Sequence, residues 1–111
     1  MDGDLAPLDV IVNLAKKYNA FTFVDDAHAT GALGMTGRGT PEVFGLEGQI
    51  DVINSTLGKA LGGGTGGFTV ASKSVVDVLR NKCRPYLFSN SIAPSTVAAS
   101  MEALTMLDDS P

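Results

Sequence analysis

The chain has no tryptophan, one cysteine and one histidine in 111 residues. Cys83 has no partner for an intrachain disulfide, so the fold does not call for an oxidising compartment. One histidine and no C-x-x-C pair supply too few soft ligands for a zinc centre, and no metal is expected. Positive charge is scarce as well, with 8 Lys+Arg against 12 Asp+Glu and a net charge of −4. Residues such as Lys16, Lys17 and Arg80 are scattered, so no basic surface speaks for nucleic acid or an anionic membrane. No apolar run approaches the roughly 18–20 residues that span a bilayer. The opening "MDGDLAP" has neither a signal-peptide core nor an Arg-rich transit pattern.

What is present is aliphatic and punctuated by glycine: 44% hydrophobic residues and 13 glycines. That suits one compact α/β domain spanning residues 1–111. Leu8, Ile11, Leu14/Ala15 and Tyr18 recur at helical spacing, with Pro7 near the start and Asn19 near the end. "AFTFVDD" reads as a short strand that ends in two carboxylates. "HATGALGMTGRGTPEVFG" reads as an irregular functional loop, broken by Gly31, Gly34, Gly37, Gly39 and Pro41. "QIDVINST" and "GGFTVAS" are further strand candidates. Lys73–Cys83 reads as a helix with Val75, Val76, Val78 and Leu79 inward. "RPYLFSNSIAP" is turn-rich. Val97, Met101, Leu104 and Leu107 predict a last helix facing a partner and fraying at Asp108. Strands alternating with helices predict a mostly parallel sheet with flanking helices. Asp25, His28, Thr56 and Lys59 all follow predicted strands, where such sheets gather their functional groups.

The stretch "NSTLGKALGGGTGGF" raises nucleotide readings that fail. Gly62 to Gly67 satisfies G-x-G-x-x-G, but a strand follows it rather than a helix, and Asp77 comes too early for the ribose carboxylate. For a P-loop, Ile53 stands where glycine belongs and Ala60 where Ser or Thr should meet magnesium. A flexible turn with a surface lysine is the plain reading. The alternative is chemical, because a lysine amine condenses with carbonyls, and glycines give a planar cofactor close access to the backbone. Asp25 and His28, spaced D-x-x-H, admit two readings also. Asp25 and Asp26 cap the following segment beside a satisfied imidazole, or the pair meets a cofactor. Pyridoxal phosphate offers a ring nitrogen for the carboxylate, a phenolic oxygen for the imidazole and an aldehyde for Lys59.

"VDDAHATGALGMTGRG", "STLGKALGG" and "RPYLFSNSIAP" resemble the α-oxoamine synthase family of fold-type I pyridoxal-phosphate enzymes, across essentially the whole chain. The resemblance implies part of the large domain of such a transferase, with the cofactor held as a covalent aldimine on Lys59. It implies that Lys59 moves protons at the substrate α-carbon, that Asp25 pairs with the ring nitrogen and that His28 meets the phenolic oxygen. Thr56 would hold the phosphate. Ser89 and Asn90 would reach the neighbouring subunit's site in a homodimer. "RPYLFSNS" is most similar to the branch that joins glycine and acetyl-coenzyme A into 2-amino-3-oxobutyrate and coenzyme A. Other branches, the aminolevulinate, aminooxononanoate and serine palmitoyl synthases, tend to carry a Thr or another residue where Asn90 stands. Eukaryotic members of this branch are mitochondrial and bacterial ones cytoplasmic.

The resemblance covers only the middle of the family's large domain, so the polypeptide alone is expected to be inactive and poorly soluble. Two other readings stay open. One is a non-catalytic remnant that associates with full-length subunits. The other is a plain α/β module with a glycine-rich ligand loop.

Overall fold

In the computed structural model, residues 2–62 and 64–110 are described. Gly63, inside the glycine run, lies outside the described residues, as do Met1 and Pro111. The elements run α1 (Leu8–Tyr18), β1 (Phe23–Asp25), α2 (Thr40–Val43), β2 (Val52–Thr56), β3 (Gly67–Ala71), α3 (Lys73–Lys82), α4 (Arg84–Phe88) and α5 (Pro94–Asp109).

Helix α1 forms where the apolar spacing placed it. Asn19 ends it in the left-handed conformation, and the Ala20 N–H reaches back to the Ala15 carbonyl at 2.9 Å. That closure satisfies carbonyls the helix would otherwise leave unpaired. The short Ala20–Thr22 link then feeds β1, and Thr22 fixes the next crossing. Its N–H and hydroxyl both donate to the Asp51 carboxylate at 2.8 Å, just before β2.

The structure is α/β, with the three described strands in the order β1-β2-β3. β1 and β2 are parallel, with Asp25 opposite Asn54, whereas β2 and β3 are antiparallel, with Thr56 opposite Gly67. The mostly parallel pairing expected is therefore mixed over these strands. The physical reason is the short β2–β3 connection, since a parallel return needs a crossover of about a dozen residues or more, usually helical.

Three further expectations are corrected. The turn-rich "RPYLFSNSIAP" contains the helix α4, because Pro85 sits in its first turn, where a missing N–H costs nothing. Helix α5 continues to Asp109 rather than fraying at Asp108, whose carboxylate receives the Arg38 guanidinium at 3.2 Å. Val78 of α3 points outward, 60% exposed, while Val75, Val76 and Leu79 are half-buried.

The buried apolar side chains are few: Leu8 and Val12 of α1, Ala29, and Leu57 and Leu61 after β2. Large apolar groups remain open on α1 (Val10, Leu14, Tyr18), before and on β1 (Phe21, Phe23) and on α5 (Met101, Leu104). No helix among the described residues is long and apolar enough to cross a membrane.

Candidate active site at the carboxyl ends of β1 and β2

Parallel pairing delivers Asp25 and Thr56 to one edge of the sheet. Asp25 is the last residue of β1 and Thr56 the last of β2. Asp25 is exposed there, and its Oδ1 accepts the Ala27 N–H at 3.1 Å. His28 lies one turn on, also exposed. Both line a cavity of about 560 Å³ with Gly3, Ala6, Leu33 and Thr40. The structure thus brings the D-x-x-H pair together. The satisfied, partly buried imidazole of the alternative reading does not match this exposure.

The other carboxylate of the pair behaves differently. Asp26 is buried, 4% exposed, and its Oδ2 accepts the Thr40 N–H at 3.0 Å. Its carbonyl accepts the N–H groups of Ala29 and Thr30 and the Thr30 hydroxyl. So the capping role imagined for two aspartates falls chiefly to Asp26, which lines the same cavity as Asp25 but is buried, while Asp25 is exposed.

Lys59 stands in the loop after β2, between Leu57 and Leu61, which are 8% and 7% exposed. Two buried leucines anchor the loop, so the lysine between them is held outward and its side chain is exposed. This is not the geometry of a free linker. The Thr56 hydroxyl accepts the Gly58 N–H at 3.2 Å and donates to the Gly66 carbonyl at 3.1 Å, tying both ends of the loop. The Leu57 N–H donates to the same carbonyl at 3.0 Å. Among the described residues the Lys59 amine has no hydrogen-bond or ion-pair partner.

Two contacts join the lysine loop to the Asp25–His28 turn. At Gly31, where φ is +82°, an added Cβ would lie 3.2 Å from Ala60 Cβ and from Leu61 Cδ2. The glycine leaves room for these two side chains, and its positive φ is one that other residues adopt at a cost. Lower down, the Ser55 hydroxyl donates to the Thr30 hydroxyl at 2.7 Å.

Ser89 and Asn90 are not brought to this cavity. They follow α4 on an exposed stretch that lays Ile92 over Gly66. Sequence reasoning missed Asp26, Thr30, Ser55 and Thr40 as supports of the site. The adjacency of two aspartates at a strand end was the available signal, since only one of them can face the same way as the other's neighbours.

Asp25, His28 and Lys59 suit pyridoxal phosphate as a donor set. A carboxylate with no competing cation, an imidazole in the same cavity and an unpaired amine on an anchored loop match the polar groups of its ring.

Comparison with known proteins places the chain in a family. Residues 1–109 match the family Aminotransferase class I and II. The chain is 54% identical over 110 residues to a mitochondrial 2-amino-3-ketobutyrate coenzyme A ligase from Bos taurus, covering 99% of this chain and 26% of the relative. It is 53% identical over 108 residues to the 2-amino-3-ketobutyrate coenzyme A ligase of Escherichia coli K12, covering 97% and 27%. The chain therefore spans about a quarter of the length of the curated relatives it matches. Among solved structures, it superposes with TM-score 0.86 on a serine palmitoyltransferase from S. paucimobilis with a bound PLP–myriocin aldimine. The two are 42% identical over 96% of this chain and 27% of that one. A structure of SPT with a PLP internal aldimine gives 0.85 at 43% identity, over 95% of this chain and 26% of that one. The chain belongs to the aminotransferase class I and II family of pyridoxal-phosphate enzymes, and within it to the α-oxoamine synthases.

Proposed function

We propose that residues 1–111 form the cofactor-binding part of the large domain of a glycine C-acetyltransferase, the activity also called 2-amino-3-ketobutyrate coenzyme A ligase. The observation that carries this reading is the shared edge of β1 and β2. Asp25 ends β1 and lines one cavity with His28, and Lys59 follows three residues after Thr56, the end of the neighbouring parallel strand β2. The reaction would join glycine to acetyl-coenzyme A, giving 2-amino-3-oxobutyrate and free coenzyme A.

Pyridoxal phosphate, when bound, supplies an electron sink for the negative charge that develops at the glycine α-carbon. The chain supplies position and charge. Asp25 would face the ring nitrogen, and among the described residues its carboxylate is tied up in no ion pair. His28 would donate to the phenolic oxygen from the same cavity wall. Lys59 would hold the cofactor covalently, and its amine, once free, would take a proton from the α-carbon and return one later. Thr56 would hold the phosphate, a role that competes with its bond to the Gly66 carbonyl. Ser89 and Asn90, exposed and away from the cavity, would serve the site of a second subunit in a homodimer.

Identity favours this branch over serine palmitoyltransferase, at 54% for the ligase against 42% for the solved synthase. The compartment is mitochondrial for a eukaryotic source and cytoplasmic for a bacterial one. Because the chain spans 26% of the ligase, it would bind cofactor without turning over alone.

Adding pyridoxal phosphate should produce a visible absorbance band that glycine perturbs, while acetyl-coenzyme A releases no thiol. A chain that gives no band, or one indifferent to glycine, is a ligand module of another kind. Thiol release by the chain alone would show that residues 1–111 suffice for turnover.

A further inference from the structure

We propose that Asp26, which has no part in the roles assigned above, is a positioning residue. It locks the Asp25–His28 turn to the strand that leads to Lys59. The inference rests on the cofactor site proposed above and deepens it.

All the polar groups of Asp26 are engaged, each with a different part of the fold. Its N–H donates to the Asn54 carbonyl of β2 at 2.8 Å. Its carbonyl accepts Ala29 and Thr30 N–H groups at 3.0 and 2.9 Å, which folds the turn that carries His28. Its carboxylate accepts the buried Thr40 N–H at the start of α2, at 3.0 Å. Thr30 passes the connection on, receiving the Ser55 hydroxyl at 2.7 Å from β2. Strand, turn and short helix therefore meet at one residue.

The site is shaped around this carboxylate. Gly39, with φ +87°, carries no side chain where a Cβ would collide with Asp26 Oδ2. A carboxyl group only 4% exposed is costly to bury unless it is hydrogen-bonded, and here the Thr40 N–H supplies that bond. Thr40 and Ala29, both bonded to Asp26, line the same cavity as Asp25 and His28. Releasing the Thr40 bond would free the start of α2 from the turn that carries His28 and change the cavity both line. The task is acceptance of a hydrogen bond in a fixed direction, which an asparagine oxygen can also perform and an alanine cannot.

The experiment uses the chain itself and three variants: Asp26→Asn, Asp26→Ala and Thr40→Pro. Thr40→Pro removes the donor instead of the acceptor, at the first residue of a helix where proline's φ is suited. His28 is the one histidine in the sequence, so its ring resonances are assigned without ambiguity. Those resonances, Thr40 amide exchange and capture of pyridoxal phosphate after borohydride reduction are the readouts.

Asp26→Ala is expected to speed Thr40 exchange about tenfold or more, as loss of one buried bond implies. It should also shift the His28 resonances and cut cofactor capture several-fold. Asp26→Asn should return all readouts to near the wild-type values, and Thr40→Pro should reproduce the His28 shift. A folded Asp26→Ala or Thr40→Pro with wild-type His28 resonances overturns the proposal, as does an Asp26→Asn that behaves like alanine. If the wild-type chain captures no cofactor, the functional reading fails, and the His28 and Thr40 signals still judge Asp26.

Discussion

The Thr56 hydroxyl donates to the Gly66 carbonyl at 3.1 Å, closing the loop that holds Lys59 across its base. The same oxygen accepts the Gly58 N–H, so one side chain at the end of β2 sets both ends of the loop. Thr56→Val keeps the shape and removes both bonds, at a cost of about 1–2 kcal/mol. Faster amide exchange at Gly58 and weaker capture of pyridoxal phosphate are the expected outcomes, and Thr56→Ser should restore both. Unchanged exchange at Gly58 in Thr56→Val would show that the leucine anchors alone hold the loop.

Gly39 and Gly45 make a matched pair. Both have positive φ, +87° and +63°, but a Cβ at Gly45 meets nothing within 4 Å, whereas at Gly39 it runs into the Asp26 carboxylate. Gly45→Ala should cost about 1–2 kcal/mol, the strain of a left-handed backbone with a side chain. Gly39, with ψ −162°, sits in a region that essentially only glycine occupies, so Gly39→Ala carries a larger backbone strain and the collision besides. Thermal melts followed by circular dichroism should rank it clearly below Gly45→Ala, with weaker cofactor capture as well. Equal melting temperatures would mean that the Asp26 contact is not tight.

Acid should loosen the crossing between β1 and β2. The Thr22 N–H and hydroxyl hold the Asp51 carboxyl below its usual range, outweighing the burial that pushes it up. Glu42 is held down by the Arg38 N–H, with Thr36 also contributing. A carboxyl whose folded value is depressed stabilises the fold above the unfolded value and loses that contribution as pH falls through the folded one. For Asp51 the contribution is complete above the ordinary range near pH 4 and disappears below it. Melting temperatures of wild type and Asp51→Asn should therefore differ at neutral pH and converge in acid. A gap that widens in acid would contradict the assignment.

Much of this fold was legible because local and global signals agreed. The apolar stripe of α1, its Asn19 end and the strand "FTFVDD" ending at the cavity follow from periodicity and turn chemistry alone. The direction of β3 was not read, although the short glycine-rich link from Leu57 to Gly66 leaves no room for a helical crossover. The segment "RPYLFSNSIAP" reads as turn-rich, yet Pro85 in the first turn of α4 suits a helix start. Asp25 and Lys59 were visible as residue types after strands. Asp26 was not distinguished from its neighbour, because burial is decided by the α2 backbone arriving from Thr40, a long-range contact that no local pattern announces.

The central claim is that Lys59 is the residue that carries the cofactor. Incubation with pyridoxal phosphate, borohydride reduction and mass spectrometry of the digested chain test it directly. The account predicts one added cofactor on the peptide containing Lys59, absent in Lys59→Ala and reduced in Asp25→Ala and His28→Ala. Label spread over Lys16, Lys17 and Lys73 at levels similar to Lys59, and unaffected by Asp25→Ala, would contradict it.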